Sequence, residues 1–353
     1  MKKTLTSLLF FVNILVVISI IISYISVFIP PDKFWIPAVF GLAFPFLAIA
    51  NLGFVIFWLF IKPKFFLLSL ITFLAGFGFY TRYFQIFGKH TKTNGIKIVT
   101  YNVRFFSGDG DINQRENAQQ IVDFLNEQDA DIICLQETRL RQNNIFNLPN
   151  TVKNLKSIEH YQYARSSTTY GSVTMTRFPI INMGEIRFGN SSNISIYTDI
   201  LIDADTVRVF NVHLQSYMID PDKYSIIESP GFDEEQNIKE MREMSSKYKK
   251  AVQLRAGQAR EIKKYIDESS YPVIVCGDFN DPPISYSYQK IRGNFKDAFV
   301  SSGHGFGRTY VGKLPSYRID NILYSERFKS FNFQTLNFRM SDHLPVSCTL
   351  VEK

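Results

Sequence analysis

The chain has 353 residues, of which 46% are hydrophobic, 15% aromatic and only 20% charged, with a formal net charge of +7. Such a chain is too apolar to stay disordered and too aromatic for a repetitive fibre. The charge does not mark a nucleic-acid binder either. Residues 1–88 hold six basic residues and one acid, which leaves 33 basic and 31 acidic residues in 89–353.

The apolar residues gather at the N-terminus in three uncharged runs, about 5–29, 34–61 and 65–81. Each reaches the roughly 17–25 residues that a membrane-spanning helix needs, so three transmembrane helices are expected. The first run is longer than the roughly 7–15 apolar residues of a signal peptide, and no small-residue cleavage site follows at Ile29-Pro30-Pro31. Pro37, Pro45, Asn51 and Gly53 predict a tilt or kink in the second. Lys2 and Lys3 before the first span and Lys62 and Lys64 after the second place those ends in the cytoplasm. Three spans would then deliver the remaining chain outside a bacterial-type plasma membrane, although Arg82, Lys89 and Lys92 run counter to that charge rule. The chain divides into a membrane anchor (1–88), a polar linker (89–95) and a water-soluble domain (96–353).

After the linker the pattern is that of an α/β domain. Ile96–Tyr101 alternates as a strand, and Ala118, Ile121, Val122 and Leu125 form the apolar stripe of a helix. Strands follow at Asp131–Glu137, Ser172–Thr176, Ile194–Ile202 and Thr206–Val212. Val252, Ala256, Ala259, Ile262 and Ile266 mark a second helix, followed by strands at Pro272–Asp278, Ile319–Tyr324 and Val346–Val351. The polar stretch Tyr217–Lys250, with Glu228, Asp233, Glu234, Glu235, Glu240 and Glu243, reads as a solvated loop and charged helix or as a flap beside a site. Cys134, Cys276 and Cys348 all fall in strands and are expected to be buried free thiols.

Polar groups end or precede these apolar strands: Asn102, Glu137, His213, Asp278, Asn280, Asp320, Asp342 and His343. Strand ends fix positions while the adjoining loops leave space, so these residues are the candidate site. Each has a plainer alternative, a surface acid for Glu137 or an Asx-turn for Asp278-Phe279-Asn280. His90, His160 and His304 lack a comparable setting. Carboxylates converging on one cleft repel one another, and a divalent cation relieves that repulsion. Hard oxygen ligands without a Cys/His cluster point to Mg²⁺ or Mn²⁺.

The segments YNVR, LQE, YGSVTMTRFPI, VHLQS, GDFNDPP, YRIDNIL and SDHLPV occur in this order over about 96–351. In that order they resemble the endonuclease/exonuclease/phosphatase superfamily of metal-dependent phosphohydrolases. The resemblance implies a four-layer sandwich, two packed mixed β-sheets flanked by helices. It implies Glu137 as principal metal ligand, with Asn102 and Asp342 completing or supporting the metal shell. Asp278 and Asn280 would orient the attacking water and hold a phosphate oxygen. His343 would be the histidine paired to an aspartate, here Asp320, and His213 would contact the phosphate or help the leaving group. Tyr170, Gly171 and Arg177 match a family segment near the site. The expected substrate is a membrane-proximal phosphoester such as a lipid headgroup. An extracytoplasmic nuclease and a catalytically silent binding module are the alternatives.

Overall fold

In a computed structural model of the chain, residues 2–108, 113–140, 145–166, 169–219 and 234–353 are described. Helix α1 (Lys2–Ser26) turns through Pro30–Trp35 into α2 (Ile36–Ile61), and α3 (Pro63–Ala75) with the short α4 (Phe77–Tyr80) runs back beside them. Phe65 at the start of α3 packs on Phe10 and Trp58, whereas Phe79 in α4 stacks on Tyr24 near the end of α1. The third pass therefore ends where the second begins.

The expectation of three long spans is corrected here. Among the described residues, only Thr4–Ser26 and Ile36–Ile61 are long and apolar enough to cross a bilayer. With 13 residues, α3 covers only about 20 Å at 1.5 Å per residue, against a hydrocarbon core of about 30 Å. It stops because Gly76 leaves helical geometry (φ −103°, ψ 12°) where the Tyr24 ring crosses it and Tyr24 donates to the Thr72 carbonyl (3.0 Å). The uncharged run in the sequence continues past this break; the helix does not.

Among the described residues, the remaining chain forms two six-stranded sheets and a two-stranded one. In chain order the strands are β1 (Phe84–Gln85), β2 (Ile96–Asn102), β3 (Ile132–Arg139), β4 (His160–Arg165), β5 (Tyr170–Thr176), β6 (Ile180–Arg187) and β7 (Ile194–Ile202). They continue with β8 (Asp205–His213), β9 (Val273–Asp278), β10 (Lys296–Asp297), β11 (Gly305–Phe306), β12 (Asp320–Tyr324), β13 (Phe328–Thr335) and β14 (Val346–Glu352). One sheet has the order β13-β14-β2-β3-β5-β4 and the other β10-β12-β9-β8-β7-β6, while β1 and β11 pair by themselves. The two orders share one pattern of directions: β2–β3 and β8–β9 are parallel and every other pair in the two sheets is antiparallel.

Ile98, Ile132, Cys134, Val209, Ile274, Cys276 and Ile322 meet between the sheets. The alternate residues Val99, Tyr101, Ile133 and Leu135 face outward onto α5 (Gln114–Gln128) through Ala118, Ile121 and Leu125. On the other side Phe210, Val212, Val273 and Val275 pack on the long helix Glu234–Asp267 through Ala259, Ile262 and Ile266. This is the expected four-layer sandwich. Of the polar stretch, Glu234–Lys250 is the first half of that helix, while Glu228 and Asp233 lie outside the described residues. The three cysteines are free and buried.

Candidate active site

The period of two that builds the core also builds the site. Along the inner face, apolar residues at one end of a strand give way to polar ones at the other. The series are Ile98-Thr100-Asn102, Ile132-Cys134-Gln136, Val209-Asn211-His213 and Ile274-Cys276-Asp278. All four strands of the two parallel pairs end at the same edge, so their carboxyl ends collect the polar groups. Asp320 opens the antiparallel β12 directly opposite Asp278, and Asp342 and His343 precede β14. Gln136 Nε2 donates to Asn211 Oδ1 (2.8 Å), tying the sheets just below the site.

Two local distortions aim side chains into it. The register between β3 and β5 shifts between Leu135 and Thr138, and Glu137 within that bulge has φ +54°. Without the bulge, Glu137 would follow the outward-facing Leu135. Gly277 has φ +132°, and a Cβ there would lie 2.0 Å from the Val212 carbonyl oxygen, so only glycine lets β9 approach β8 this closely. Asn280, two residues past Asp278, also has positive φ (+51°). Strained non-glycine backbone persists only where the surroundings over-determine it.

The Asp278 carboxylate is the hub. Its Oδ2 accepts from Asn102 Nδ2 (2.9 Å) and Asn280 Nδ2 (3.0 Å), and its Oδ1 accepts from the Asn280 backbone N–H (2.7 Å). His213 Nε2 and His343 Nε2 lie 3.9 and 3.8 Å from Asp278 Oδ2. His343 Nδ1 meets Asp320 Oδ2 at 2.9 Å, which fixes the ring. Glu137 Oε1 lies 3.3 Å from His213 Nε2 and 3.4 Å from Asn102 Nδ2. Asp342 stands at the rim, 3.4 Å from Arg104 Nε and within 3.3 Å of Ser341 Oγ.

Burial pushes Asp278 up to about 6, with Asp320 adding to the rise and the two histidines opposing it. Burial disfavours charge on His343, but the negative charges of Asp320 and Asp278 outweigh it and hold the imidazole well above its ordinary value. In the Glu137–His213 pair, burial opposes both charges, yet their mutual contact lowers the carboxyl and raises the imidazole. The edge thus holds a buried carboxylate able to take a proton near neutral pH, flanked by two imidazoles whose charged forms are favoured by the acids beside them.

All eight residues singled out in the sequence lie at this edge, with Asp342 joined to the others through Ser341, whose Oγ donates to the Asn102 carbonyl (2.8 Å). Arg177 does not reach the site: it pairs with Asp131 at 2.8 Å. Four supporting residues escaped the sequence reading. Arg104 faces Asp342, and Asn193 Nδ2 donates to the Leu214 carbonyl (2.8 Å) and lies 3.2 Å from His213 Nδ1. Thr309 Oγ1 accepts from the Asp320 N–H (3.1 Å), and Ser341 is the fourth. Arg104, inside YNVR, and Ser341, which opens SDHLPV, carried a local signal; Asn193 and Thr309 act across longer sequence separations.

The Endonuclease/Exonuclease/phosphatase family matches residues 99–343, and a domain of unknown function matches residues 6–83. A comparison with curated protein sequences finds no significant match. Among solved structures, the chain is similar to a humanized D. rerio TDP2 (TM-score 0.53, 16% identity, covering 73% of this chain and 100% of that one). It is also similar to an endonuclease/exonuclease/phosphatase family protein from Leptotrichia buccalis (TM-score 0.50, 18% identity, 72% and 99%). The human Nocturnin catalytic domain with bound sulfate anion matches comparably (TM-score 0.50, 16% identity, 72% and 95%). At these identities the likeness speaks for the fold, whereas the family match spans most of the chain and carries the conclusion: the chain belongs to the endonuclease/exonuclease/phosphatase family of hydrolytic phosphoesterases and nucleases.

Proposed function

We propose that the chain is a membrane-anchored, divalent-cation-dependent phosphoesterase that hydrolyses a phosphoester at the bilayer surface. The convergence of Asn102, Asn280, His213 and His343 on the Asp278 carboxylate, with Glu137 beside it, carries this reading. The residues fit a hard cation. Asn102, Glu137 and Asp342 offer oxygen donors, and the three cysteines lie in the inter-sheet core. Such an ion would supply Lewis-acid stabilisation of charge on the phosphoryl oxygens.

Asp278, Asp320 and His343 also present ligand atoms within 4.8 Å of one another. Ligation by that trio would break the His343–Asp320 hydrogen bond, so we assign it to proton handling instead. Asp278 accepts the proton of the attacking water and Asn280 holds Asp278 in place. His213 offers positive charge to a non-bridging oxygen, and Asp320 keeps His343 oriented and charged.

The membrane reading rests on the outer face of the helices, where Leu8, Phe11, Leu15, Ile18, Ile49, Ile56 and Phe60 are exposed. Although α3 is short, α3 and α4 return the chain to the Pro30–Trp35 end, away from Lys62 and Lys64. With the lysines inside, the catalytic domain lies on the extracytoplasmic face. The test is the full chain in liposomes with Mg²⁺ or Mn²⁺, offered phospholipid and duplex DNA. Release of phosphate or a phosphorylated headgroup faster than DNA cutting is expected. DNA cleavage with no lipid product would put an extracytoplasmic nuclease first.

A further inference from the structure

The catalytic loop after Asn280 does not end in solvent. Asp281-Pro282-Pro283-Ile284 runs from the site into the helical bundle, where Ile284 is buried against Val27, Phe44 and Ala48. Gly41 of α2 makes this possible: a Cβ there would lie 2.5 Å from the Ile284 carbonyl oxygen and 2.8 Å from Ser26 Oγ. Arg82, just past α4, donates from Nη1 to the Pro283 carbonyl (3.0 Å).

The strand that presents Asp320 is gripped from the same side. Tyr317 Oη donates to the Leu42 carbonyl (3.0 Å), and Arg318 Nε donates to the Arg82 carbonyl (3.2 Å). From the opposite side, Arg255 of the long helix donates to Asp281 Oδ1 (3.1 Å) and to the Gln215 carbonyl (2.8 Å), two residues past His213. The turn between α1 and α2 is latched to that helix by Asp32 and Arg260 (2.8 and 3.0 Å). Even the linker is fixed, with Lys89 N donating to the Ser302 carbonyl (3.2 Å) and Thr91 N to Asn332 Oδ1 (3.1 Å).

We infer that the helical bundle is a working part of the active site: through Gly41, Leu42 and Arg82 it positions the loop that follows Asp278 and carries Asn280, and the segment that leads into Asp320. A passive tether would need none of these contacts. Two consecutive prolines have fixed φ, so the four-residue path from Asn280 to Ile284 is stiff, and a displacement at Ile284 is carried back to Asn280 instead of being absorbed. Gly41 is accordingly a positioning residue, remote from the reacting atoms. The inference rests on the proposed roles of Asp278 and Asn280.

The experiment compares full-length wild type, Gly41→Ala and Gly53→Ala in nanodiscs, with Mn²⁺ and the soluble diester bis(p-nitrophenyl) phosphate. Gly53 has open space where a Cβ would go and serves as the control. Gly41→Ala should lower kcat about 10- to 100-fold, the scale of a misplaced catalytic group, with KM for the small soluble substrate changing less than about twofold. Gly53→Ala should match wild type. Hydrogen exchange gives a reading independent of turnover: amides of residues 279–289 should exchange faster in Gly41→Ala, while those of β2 and β3 stay protected. A folded Gly41→Ala with wild-type kcat and unchanged exchange overturns the inference. Should Gly41→Ala fail to fold, Ile284→Ala removes the contact without a clash and must show the same loss of kcat; wild-type turnover in that variant overturns it equally. A wild type inactive on every phosphoester would instead refute the proposed function, and the exchange comparison would still decide the positioning role.

Discussion

The helical bundle and the β-sandwich distribute polar and apolar residues differently between inside and outside. In the bundle the inside is mixed: Asn13, Ser23, Ser26, Asn51 and Ser69 are buried beside Ile20, Val27, Phe44 and Trp58, while many Leu, Ile and Phe side chains line the outside. Trp58 Nε1 donates to Asn13 Oδ1 (2.9 Å), Asn13 Nδ2 to Ser69 Oγ (2.7 Å) and Asn51 Nδ2 to the Ser69 carbonyl (3.0 Å). In the sandwich the inside is apolar and its few buried charges sit at one edge or in pairs, such as Arg318 with Asp297 (2.7 Å). On the membrane reading proposed above, each region is built for its own solvent. Hydrocarbon gives apolar side chains no reason to pack inward, so hydrogen bonds and close packing hold the helices, whereas water drives the sandwich together through its apolar faces.

The largest expected effect tests whether chemistry belongs to the sandwich edge alone. Chelation should abolish turnover, with Mg²⁺ or Mn²⁺ restoring it, and Glu137→Gln and His343→Ala should each lose about 10²-fold or more in kcat. Circular dichroism should show both variants folded, since Glu137 sits in the bulge of β3 and His343 in the loop before β14, outside the inter-sheet core. Full activity in chelator would remove the cation from the mechanism.

Next in size is the buried pair. Burial alone would push the Asp297 carboxyl up, but Arg318 and the Tyr288 hydroxyl outweigh it and hold the carboxyl below its ordinary value. A carboxyl held low in the fold adds stability above its unfolded pKa of about 3.9, and that stability fades as pH falls through the lower folded value. Asp297→Asn should therefore cost about 3–5 kcal/mol at neutral pH by stranding a buried guanidinium. Melting curves of wild type and variant should converge below about pH 4, and a gap unchanged down to pH 3 would contradict the pairing.

One substitution made in both regions sharpens the contrast. Leu15 on α1 and Ile181 on β6 are similarly exposed, at 47% and 51%. Lysine at 15 should cost about 2.5–3.5 kcal/mol of membrane insertion, whereas at 181 it should stay within about 0.5 kcal/mol. Alkaline extraction of membranes reads the first and thermal melting the second. Equal tolerance at both sites would mean that α1 meets water. The smallest effect belongs to Asn13→Leu, which should weaken helix association by about 0.6–2 kcal/mol and leave kcat unchanged. Detergent titration of the melting transition checks it.

Much of this was legible in the sequence because strand alternation and site placement share one period. Ile194–Ile202 was bounded to the residue, and each strand ending at the site was found within one or two positions of its true limits. β6 was missed because it is an exposed edge with no clean alternation, and β4 is the corresponding edge of the other sheet. The repeated order of strand directions left no sequence repeat, since direction is set by connections and not by side chains. At the site, the acids and histidines stood out by type. The bulge that turns Glu137 inward and the grip of Gly41 on Ile284 depend on residues far apart in the chain, and no local pattern records them.

The position of β14 has a consequence for when the enzyme can first act. β14 lies between β13 and β2, so the strand carrying Asn102 waits for a neighbour made near the end of synthesis. Asp342 and His343 immediately precede that neighbour. At about 5–20 residues per second, roughly 10–50 s separate Asn102 from His343 on the ribosome. The helical bundle is made first and the hydrolytic centre closes last. A nascent chain therefore holds most of a hydrolytic centre without being able to use it, and a chain clipped before residue 342 never acquires the ability.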